Sequence, residues 1–597
     1  MRIEAGPDRL SKGIVLVCMA VLLVMRWISL TPNELSWDVF GYYLYLPATF
    51  VHGDPLLTDI GWVRQVMEQY HTTETLYQLS TAPDDRTPMY FFLMGMALCY
   101  LPFFLLGHGL AWVTGAPMDG FSMPYQMSMA MGALVYTAIG LWQLRAVLRR
   151  FFDDRLVAVI LLLLVLATNL LHFASAKNLE TANFLFCMMS VLLGATVRWH
   201  EARRRSDLFL IAASIALITL IKPSEIVCGL VPLFWGVHDS DSFRAKWRML
   251  IGAWKDLLPA VLLGLLILLP QLLYWYTFTG HFIHDSYKNP GVGLDLTSPH
   301  ILDVLFSFRK GWLIYTPIMV LALLGFVPLY KQRPGVFWPI VLYATTAFYI
   351  ISSWSEWWYG ASYSVRPMIT LYPLLSIPFG MALQKGLQGK GVLRGGFVGV
   401  LVLLVVHNLF QLWQFRSWII HPYRTTKDYY FAVFGRTHIP VGAERLLSVD
   451  RNFAGNDRMQ HDRTYAVVHT YVLGGADHPP DILDAQHPYG LTWEMPYEEL
   501  TRKEYLWIRA RAAVRPLNGV QAPSPCLVFE IRRKEGAYGY RTVCADTLEA
   551  GPPFVLRGEY MTPSIRDTED VLRVYLWSRG EGSLEQQRLE IVVLEEV

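Results

Sequence analysis

The chain has 597 residues, of which 53% are apolar and 17% are charged, and its formal net charge is +2. Residues 440–597 carry 18 Lys+Arg and 24 Asp+Glu, and residues 1–439 carry the other 33 Lys+Arg and 25 Asp+Glu. Because soluble domains are about 25% charged, this composition excludes a disordered protein, a nucleic-acid-binding protein and a soluble enzyme. It indicates a membrane domain over residues 1–430 and a water-soluble domain over residues 440–597.

Apolar runs of a length suited to crossing a bilayer follow one another through the first domain. Arg26 interrupts the first run and no small-residue cleavage site follows it, so we interpret this run as a retained anchor rather than a signal peptide. The runs lie near 13–30, 89–113, 122–144, 156–173, 182–198, 208–221, 225–237, 249–276, 312–330, 335–353, 366–384 and 395–413.

Clusters of Lys and Arg orient these runs, because such clusters mark cytoplasmic loops. With the clusters inside, the N-terminus is cytoplasmic and everything after residue 413 lies outside. The run at 89–113 breaks the alternation and has Pro102 at its centre, so we expect a re-entrant hairpin or a helix near the outer face, and about 11 true spans. The basic loops are 145–155, 198–205, 244–248, 331–333 and 385–394.

The first outer loop, residues 31–88, contains two amphipathic stretches rich in aromatic residues, near 40–52 and 60–70. Such stretches favour helices that lie in the membrane interface. After residue 440, short alternating runs broken by Gly and Pro predict a β-sandwich. Cys526 and Cys544 in this domain could form a disulfide or remain two free thiols. The predicted strands include 505–510, 526–531, 554–556, 571–577 and 589–594.

Charged side chains are scarce in residues 1–439, so each one in an outer segment needs a reason to be there. Asp38 lies within about ten residues of the outer end of the first span, where a carboxylate can stay at the membrane surface and reach an aqueous acceptor. It could equally be the N-cap of a helix beginning near Phe40. Two further outer turns combine bases and acids, either for function or for capping and snorkelling: Lys177 with Glu180, and Lys222 with Glu225.

The long outer loop 277–311 ends in Arg309 and Lys310. Adjacent cations at an outer end oppose the positive-inside bias, and they suit binding of a lipid-linked phosphate. An interfacial pair that contacts anionic headgroups is the alternative. Three residues in the loop have a spacing that zinc could use, although nothing else completes the site: His281, His284 and Asp285.

The last outer hairpin, residues 354–367, is rich in Trp and Tyr and also contains Glu356 and Arg366. An aromatic belt at the membrane interface explains the aromatic residues alone. It does not explain an acid and a base among them, and aromatic faces flanked by a few polar groups also hold sugar rings. We therefore favour a functional role for this hairpin.

Together these features resemble the GT-C superfamily of polyprenyl-phosphate-dependent glycosyltransferases, which includes protein O-mannosyltransferases and the aminoarabinose transferase of lipid A. The resemblance covers about residues 10–415, and segments 309–317 and 354–367 are similar to blocks common in bacterial members. It implies a polytopic α-helical GT-C-like bundle of about 11 spans with a re-entrant or interfacial segment, followed by an extracytoplasmic β-sandwich. The implied location is the bacterial cytoplasmic membrane.

The resemblance also implies an activity, the inverting transfer of a sugar from a polyprenyl-phosphate carrier to a hydroxyl of a glycan, lipid or protein acceptor. Asp38 corresponds to the catalytic base and Glu180 to a second acidic position. Three departures from the family leave the donor sugar and a requirement for a divalent metal open. The first loop has a single Asp where mannosyltransferases have paired acids, a Glu replaces an Asp in the second loop, and no Arg precedes the run at 122–144. The implied phosphate ligands are Lys177, Lys222, Lys288, Arg309, Lys310 and Arg366, and the implied sugar or acceptor contacts are Tyr42, Tyr43, Glu356, Trp357 and Trp358.

Two other interpretations stay open. The chain could be a transporter or flippase of lipid-linked glycans, although it shows no internal repeat and its polar residues gather at one face rather than at the midplane. It could also be a non-enzymatic, glycan-binding membrane anchor whose β-sandwich does the binding.

Overall fold

The computed structural model describes residues 8–81, 87–287, 293–449, 464–475, 479–517, 524–533, 536–545, 553–567, 569–579 and 582–597. These residues form two compact units. The first comprises the chain up to Tyr287 together with Pro299–Ser353 and Trp357–Tyr423. The second comprises residues 424–597 and, among the described residues, the short segments 293–298 and 354–356.

The first unit is helical, and every apolar run of the sequence overlaps helical structure. A helix satisfies its own backbone hydrogen bonds, which a segment inside a bilayer must do. Seven helices in the described residues are long and apolar enough to cross a membrane: Arg9–Trp27, Gly95–Thr114, Met123–Leu148, Thr181–Ala202, Trp254–Thr279, Pro334–Ser352 and Val392–Arg416. Outside the first loop, the other helices of this unit are Asp154–Leu166, Leu170–Phe173, Arg205–Ile221, Leu230–Phe234, Ser240–Gly252, Ile301–Phe306, Trp312–Tyr315, Val320–Gln332 and Tyr372–Leu387, with 3₁₀ segments at Pro223–Gly229, Pro317–Met319 and Arg366–Leu371.

The long helices differ in how far they are covered by protein. Thr181–Ala202 is central, with 78% of its apolar window buried, whereas Trp254–Thr279 and Val392–Arg416 have only 17% and 11% buried. Soluble proteins rarely expose apolar surface of this extent. The fold is therefore that of a membrane protein, and the number of crossings stays a prediction because several of the shorter helices have fewer than about 17 residues.

Gly95–Thr114 continues as one α-helix through Pro102. Proline removes one backbone donor and crowds the preceding turn, and the Tyr136 hydroxyl donates to the nearby Cys99 carbonyl at 2.8 Å. The expectation of a broken hairpin here is wrong, and the alternative of a helix near the outer face stays a prediction.

The first loop begins with two short helices, Asp38–Tyr43 and Tyr45–Phe50. All residues from Val39 to Ala48 are buried. These residues therefore do not form an amphipathic helix with one exposed face, because other protein segments cover them, and the position of the two helices relative to the membrane interface stays a prediction. The helix Gly61–Tyr70 follows and turns Val63 and Val66 inward. A two-stranded antiparallel pair, β1 (Leu79–Thr81) and β2 (Pro88–Tyr90), ends the loop.

The second unit consists mainly of two antiparallel β-sheets, as the alternating runs predict. One sheet has the order β5-β10-β7-β8, and the other has β3-β11-β6-β9 with β4 beside β11. Leu527 and Leu572 from the first sheet share a buried core with Ile508 and Ile591 from the second. The strands are β3 (Tyr465–Gly474), β4 (Asp481–Leu483), β5 (Tyr489–Pro496), β6 (Trp507–Pro516), β7 (Ser524–Arg533), β8 (Gly536–Cys544), β9 (Phe554–Met561), β10 (Val571–Arg579) and β11 (Leu584–Glu596).

Cys526 and Cys544 form a disulfide. They lie directly opposite each other on β7 and β8, so the sheet register brings the two sulfur atoms together. The other cysteines in the chain are buried in the first unit. The alternative of two free thiols in the β-domain is therefore wrong.

Candidate functional site

Asp38 is the first residue of the helix Asp38–Tyr43. The N-cap position belongs to Trp37, and no side chain caps this helix. Trp37 has φ +54°, a strained value for a bulky residue. Its backbone is held by a bond from Trp37 N to Thr72 O at 2.9 Å and one from Gln78 Nε2 to Trp37 O at 3.2 Å. The interpretation of Asp38 as an N-cap is wrong, and its carboxylate is available for other contacts.

Arg366 connects Asp38 with Glu180. Its Nη2 lies 2.9 Å from Asp38 Oδ2, and its Nη1 lies 2.7 Å from Glu180 Oε2. The three residues come from separate parts of the chain: the first loop, the residue before Thr181–Ala202, and the start of a 3₁₀ segment. A guanidinium presents donors in a fixed fork, so Arg366 fixes the orientation of both carboxylates. We call these three residues the carboxylate–arginine cluster.

The carboxylate–arginine cluster is half-buried and contains two carboxyl groups and one guanidinium. Side-chain exposure is 23% for Asp38, 14% for Glu180 and 22% for Arg366. Burial and the charge of Asp38 raise the pKa of the Glu180 carboxyl above its usual value, and Arg366 opposes this rise. Solvent or a ligand can thus reach a site in which charges interact more strongly than in water.

Arg26 ties the first loop to the turn that carries Glu180. This arginine is fully buried, and its Nη1 donates to Ala176 O at 2.8 Å while its Nη2 forms an ion pair with Glu34. The backbone N–H groups of Glu34 and Leu35 donate to Gln126 Oε1 at 2.9 and 3.0 Å. The charge that interrupts the first apolar run therefore positions the loop that carries Asp38.

Aromatic side chains surround Asp38. The Tyr77 hydroxyl donates to Asp38 Oδ1 at 2.8 Å. Tyr42 is buried against Phe92, with ring centroids 4.2 Å apart, and the charge of Asp38 adds to burial in raising the pKa of the Tyr42 phenol. Burial and the charge of Asp38 likewise raise the pKa of the Tyr287 phenol, and Arg366 opposes this rise. Of these residues, only Tyr42 was expected at the site.

A second polar group forms around Lys222 and Glu225. Lys222 Nζ lies 3.4 Å from Glu225 Oε1, and the Tyr343 hydroxyl donates to Glu225 Oε2 at 3.1 Å. Lys222 also lies over the Tyr359 ring, 5.7 Å from its centroid. Tyr359 has φ +51°. Burial and the charge of Glu225 raise the pKa of its phenol, and Arg366 opposes this rise. The turn that carries Lys222 and Glu225, for which the sequence allowed either a functional or a capping role, thus forms a polar group of its own.

Arg309 and Lys310 have different surroundings. Arg309 is half-buried and stacks on Trp358, with its guanidinium carbon 4.0 Å from the ring centroid. Lys310 is only 1% exposed, and its ammonium donates to the Ser362 carbonyl. Burial and the neighbouring arginines lower the pKa of Lys310 well below its usual value. Of the two adjacent cations, Arg309 is the more exposed.

The remaining expected residues are dispersed. Lys177 is exposed and influences Glu180 electrostatically. Tyr43 is fully buried, and its hydroxyl bonds to Gly120 O. Trp357 packs edge-on against Trp358 with ring centroids 5.9 Å apart. Glu356 belongs to the second unit, where Oε1 lies 3.7 Å from Arg566 Nη2. The last expected residue, Lys288, lies outside the described residues.

The donor set of the carboxylate–arginine cluster does not fit a divalent cation, because the guanidinium of Arg366 lies between the two carboxylates. Elsewhere in the described part of the chain, no group of three or more His, Cys, Asp or Glu side chains converges as metal ligands. His281, His284 and Asp285 therefore do not form the zinc site that their spacing allowed.

No protein-family model matches this chain, and no curated protein matches it significantly. The resemblance to GT-C enzymes therefore stays a prediction from the sequence.

Tyr77 is the main contributor that the sequence did not reveal. It lies 39 residues after Asp38, in a loop without helical or strand periodicity that would link the two. The positive φ at Trp37 was equally hidden, since no glycine or asparagine marks it. Only the tertiary fold places the phenol on the carboxylate.

Proposed function

We propose that this protein is an inverting glycosyltransferase that moves a sugar from a polyprenyl-phosphate carrier to an acceptor hydroxyl at the outer face of the membrane. The observation that carries this proposal is the convergence of Asp38, Glu180 and Arg366 from distant segments into one half-exposed cluster. Strained backbone at Trp37 and Ser364, with φ of +54° and +61°, lies beside two of the three residues. Strain of this kind is concentrated at functional sites.

Asp38 acts as the general base. Its carboxylate takes the proton from the acceptor hydroxyl, and the acceptor oxygen attacks the anomeric carbon from the face opposite the phosphate. The bond between that carbon and the phosphate oxygen breaks, and its electron pair leaves with the polyprenyl phosphate. The configuration at the anomeric carbon is inverted. Tyr77 and Arg366 hold the carboxylate in place through its two oxygens.

Arg366 and Glu180 are positioning residues in this mechanism, since the guanidinium is already paired with both acids. Charge develops on the leaving phosphate, so cations near it act most strongly in the transition state. We assign this role to Lys177, Lys222 and Arg309, which are exposed or half-buried. Lys310 is buried and holds the loop in place through its hydrogen bond to the Ser362 carbonyl.

We further propose about 11 spans, with the carboxylate–arginine cluster and the β-domain on the extracytoplasmic side of a bacterial cytoplasmic membrane. The basic loops support this orientation through the positive-inside rule. The disulfide between Cys526 and Cys544 supports it independently, because structural disulfides persist in oxidising compartments. The acceptor is a glycan, lipid or protein in that compartment.

The test is sugar transfer by the purified protein in vesicles that contain polyprenyl-phosphate sugars and candidate acceptors. Asp38→Asn should lower kcat by about 10²–10⁴-fold, the usual contribution of a general base. Asp59→Asn is the matched control, because Asp59 lies exposed in the same loop and caps only its own turn. Undiminished transfer by Asp38→Asn contradicts the assignment of the base. Movement of the donor across the bilayer without any transfer favours the flippase alternative.

A further inference from the structure

A second site lies at the other end of the central helix. Thr181–Ala202 begins beside Glu180 and ends beside a cavity of about 500 Å³. A helix of 22 residues is about 33 Å long, close to the hydrocarbon thickness of a bilayer. The cavity is therefore one membrane thickness away from the carboxylate–arginine cluster and forms a separate site.

The cavity is lined by four cations and one carboxylate: Arg150, Arg203, Lys246, Arg333 and Glu201. Two of the cations are used by the protein itself. Arg150 forms an ion pair with Glu201. Lys246 is buried and donates to Pro232 O at 2.8 Å and Trp235 O at 3.3 Å, and it also contacts His200. Glu201 neutralises Arg150, and burial lowers the pKa of Lys246 to about 7, so these two residues shape the wall while Arg203 and Arg333 supply most of the positive charge.

The other two cations are held by aromatic rings. The guanidinium of Arg203 lies 4.9 Å from the Trp199 ring centroid, and that of Arg333 lies 5.9 Å from the Phe151 ring centroid. Neither makes a salt bridge within the described part of the chain. A guanidinium that rests on an aromatic face keeps its N–H donors free, and those donors match the oxygen geometry of a phosphate.

One wall of the cavity is the helix Ser240–Gly252, which begins with a capping box between Asp239 and Ser242. Its residues 242, 245, 246 and 249 line the cavity, a spacing that defines one helical face. Phe243, Trp247 and Ile251 form another stripe of the same helix and are 41%, 43% and 68% exposed. A helix with a large exposed apolar stripe at the end of membrane helices suits the headgroup region. The cavity is then at headgroup level.

From this arrangement we propose that the cavity binds the phosphate of an anionic lipid headgroup, through Arg203 and Arg333, in the leaflet of the Lys- and Arg-rich loops. The lining has a net positive charge, the volume suits a small polar ligand, and basic pockets between membrane helices on the cytoplasmic side recognise phospholipid headgroups.

The experiment titrates the full-length protein in neutral detergent with phosphatidylglycerol and counts bound lipid by native mass spectrometry. Arg203→Ala/Arg333→Ala should weaken binding by about tenfold or more, since a single hydrogen bond between a guanidinium and a phosphate contributes about a tenfold factor to the affinity. The matched control is Arg204→Ala/Lys331→Ala, which removes two exposed cations next to the same positions but outside the lining. The control should bind phosphatidylglycerol within about twofold of the unmodified protein.

Two further arms complete the test. Arg203→Lys/Arg333→Lys keeps the charge and should retain part of the affinity, which separates loss of the site from loss of the fold. Inorganic phosphate tests whether a free anion is the ligand. Equal losses in the alanine pair and its control overturn the proposal. So does binding of phosphatidylcholine as tight as that of phosphatidylglycerol, or displacement of the lipid by phosphate at equal affinity.

Discussion

Replacing Arg366 by Met should destabilise the protein in a way that depends on pH. The substitution removes the guanidinium that lies 2.9 Å from Asp38 and 2.7 Å from Glu180 and leaves two carboxylates facing each other. Each lost attraction is worth about 4 kcal/mol at 4 Å and an effective dielectric constant near 20. The substitution also removes the free-energy cost of burying the arginine away from water, and this offsets part of that loss.

Protonation of Glu180 limits the penalty, because a proton removes the repulsion between the two carboxylates. Its usual pKa is 4.5, and keeping such a group protonated costs about 1.4 kcal/mol for each pH unit above that value. This limit on the loss in Arg366→Met is about 3.5 kcal/mol at pH 7 and about 0.7 kcal/mol at pH 5. The measured loss should be smaller by the part of the cost that the unmodified protein already bears, because its own Glu180 pKa is raised. Arg366→Met/Glu180→Gln removes one charge of each sign and should recover most of the loss.

The free energy of unfolding is measured in mixed micelles by tryptophan fluorescence at both pH values. Arg205→Met is the control, because Arg205 is 75% exposed and pairs with Asp256 at 2.7 Å; exposed pairs contribute at most about 1 kcal/mol. Two results would refute the reasoning. One is a penalty that is the same at pH 5 and pH 7, and the other is a double variant no more stable than Arg366→Met alone.

Three other outcomes follow from the structure. Reducing the Cys526–Cys544 disulfide should lower the stability of the β-domain by about 3 kcal/mol, as expected for a loop of this length, and an unchanged denaturation midpoint would contradict this. Gly325→Ala should cost about 1–3 kcal/mol, because the new Cβ would lie 1.7 Å from a backbone oxygen of the neighbouring helix, whereas Gly399→Ala meets only open space. Between about pH 4.5 and the raised pKa of Glu180, the folded protein binds more protons than the unfolded chain, so stability should fall as pH rises. Glu180→Gln should flatten that slope in unfolding measurements across pH 4.5–7.5, and an unaltered slope would exclude Glu180 as its source.

The sequence by itself determined the fold class, because apolar runs and alternating runs report local burial directly. It also selected Asp38 and Glu180, since an acid near a bilayer is costly and therefore conspicuous. The sequence did not predict that the helices at 38–50 are buried, because their aromatic pattern suggests a helix with one exposed face. A pattern along one segment does not reveal that a second layer of protein covers its other face.

Tertiary structure alone decided which charges meet. Arg366 lies 328 residues from Asp38 and 186 from Glu180, so no local spacing could pair them, and the same holds for Tyr77. From the sequence alone, Arg366 is interpreted as a phosphate ligand, because the sequence does not reveal that Asp38 and Glu180 are its partners. The second cavity was hidden for the same reason: its cations come from separate basic loops, which sequence reasoning used only for orientation. Long-range pairing depends on packing of whole helices, whereas helix formation and burial depend on the residues of each segment.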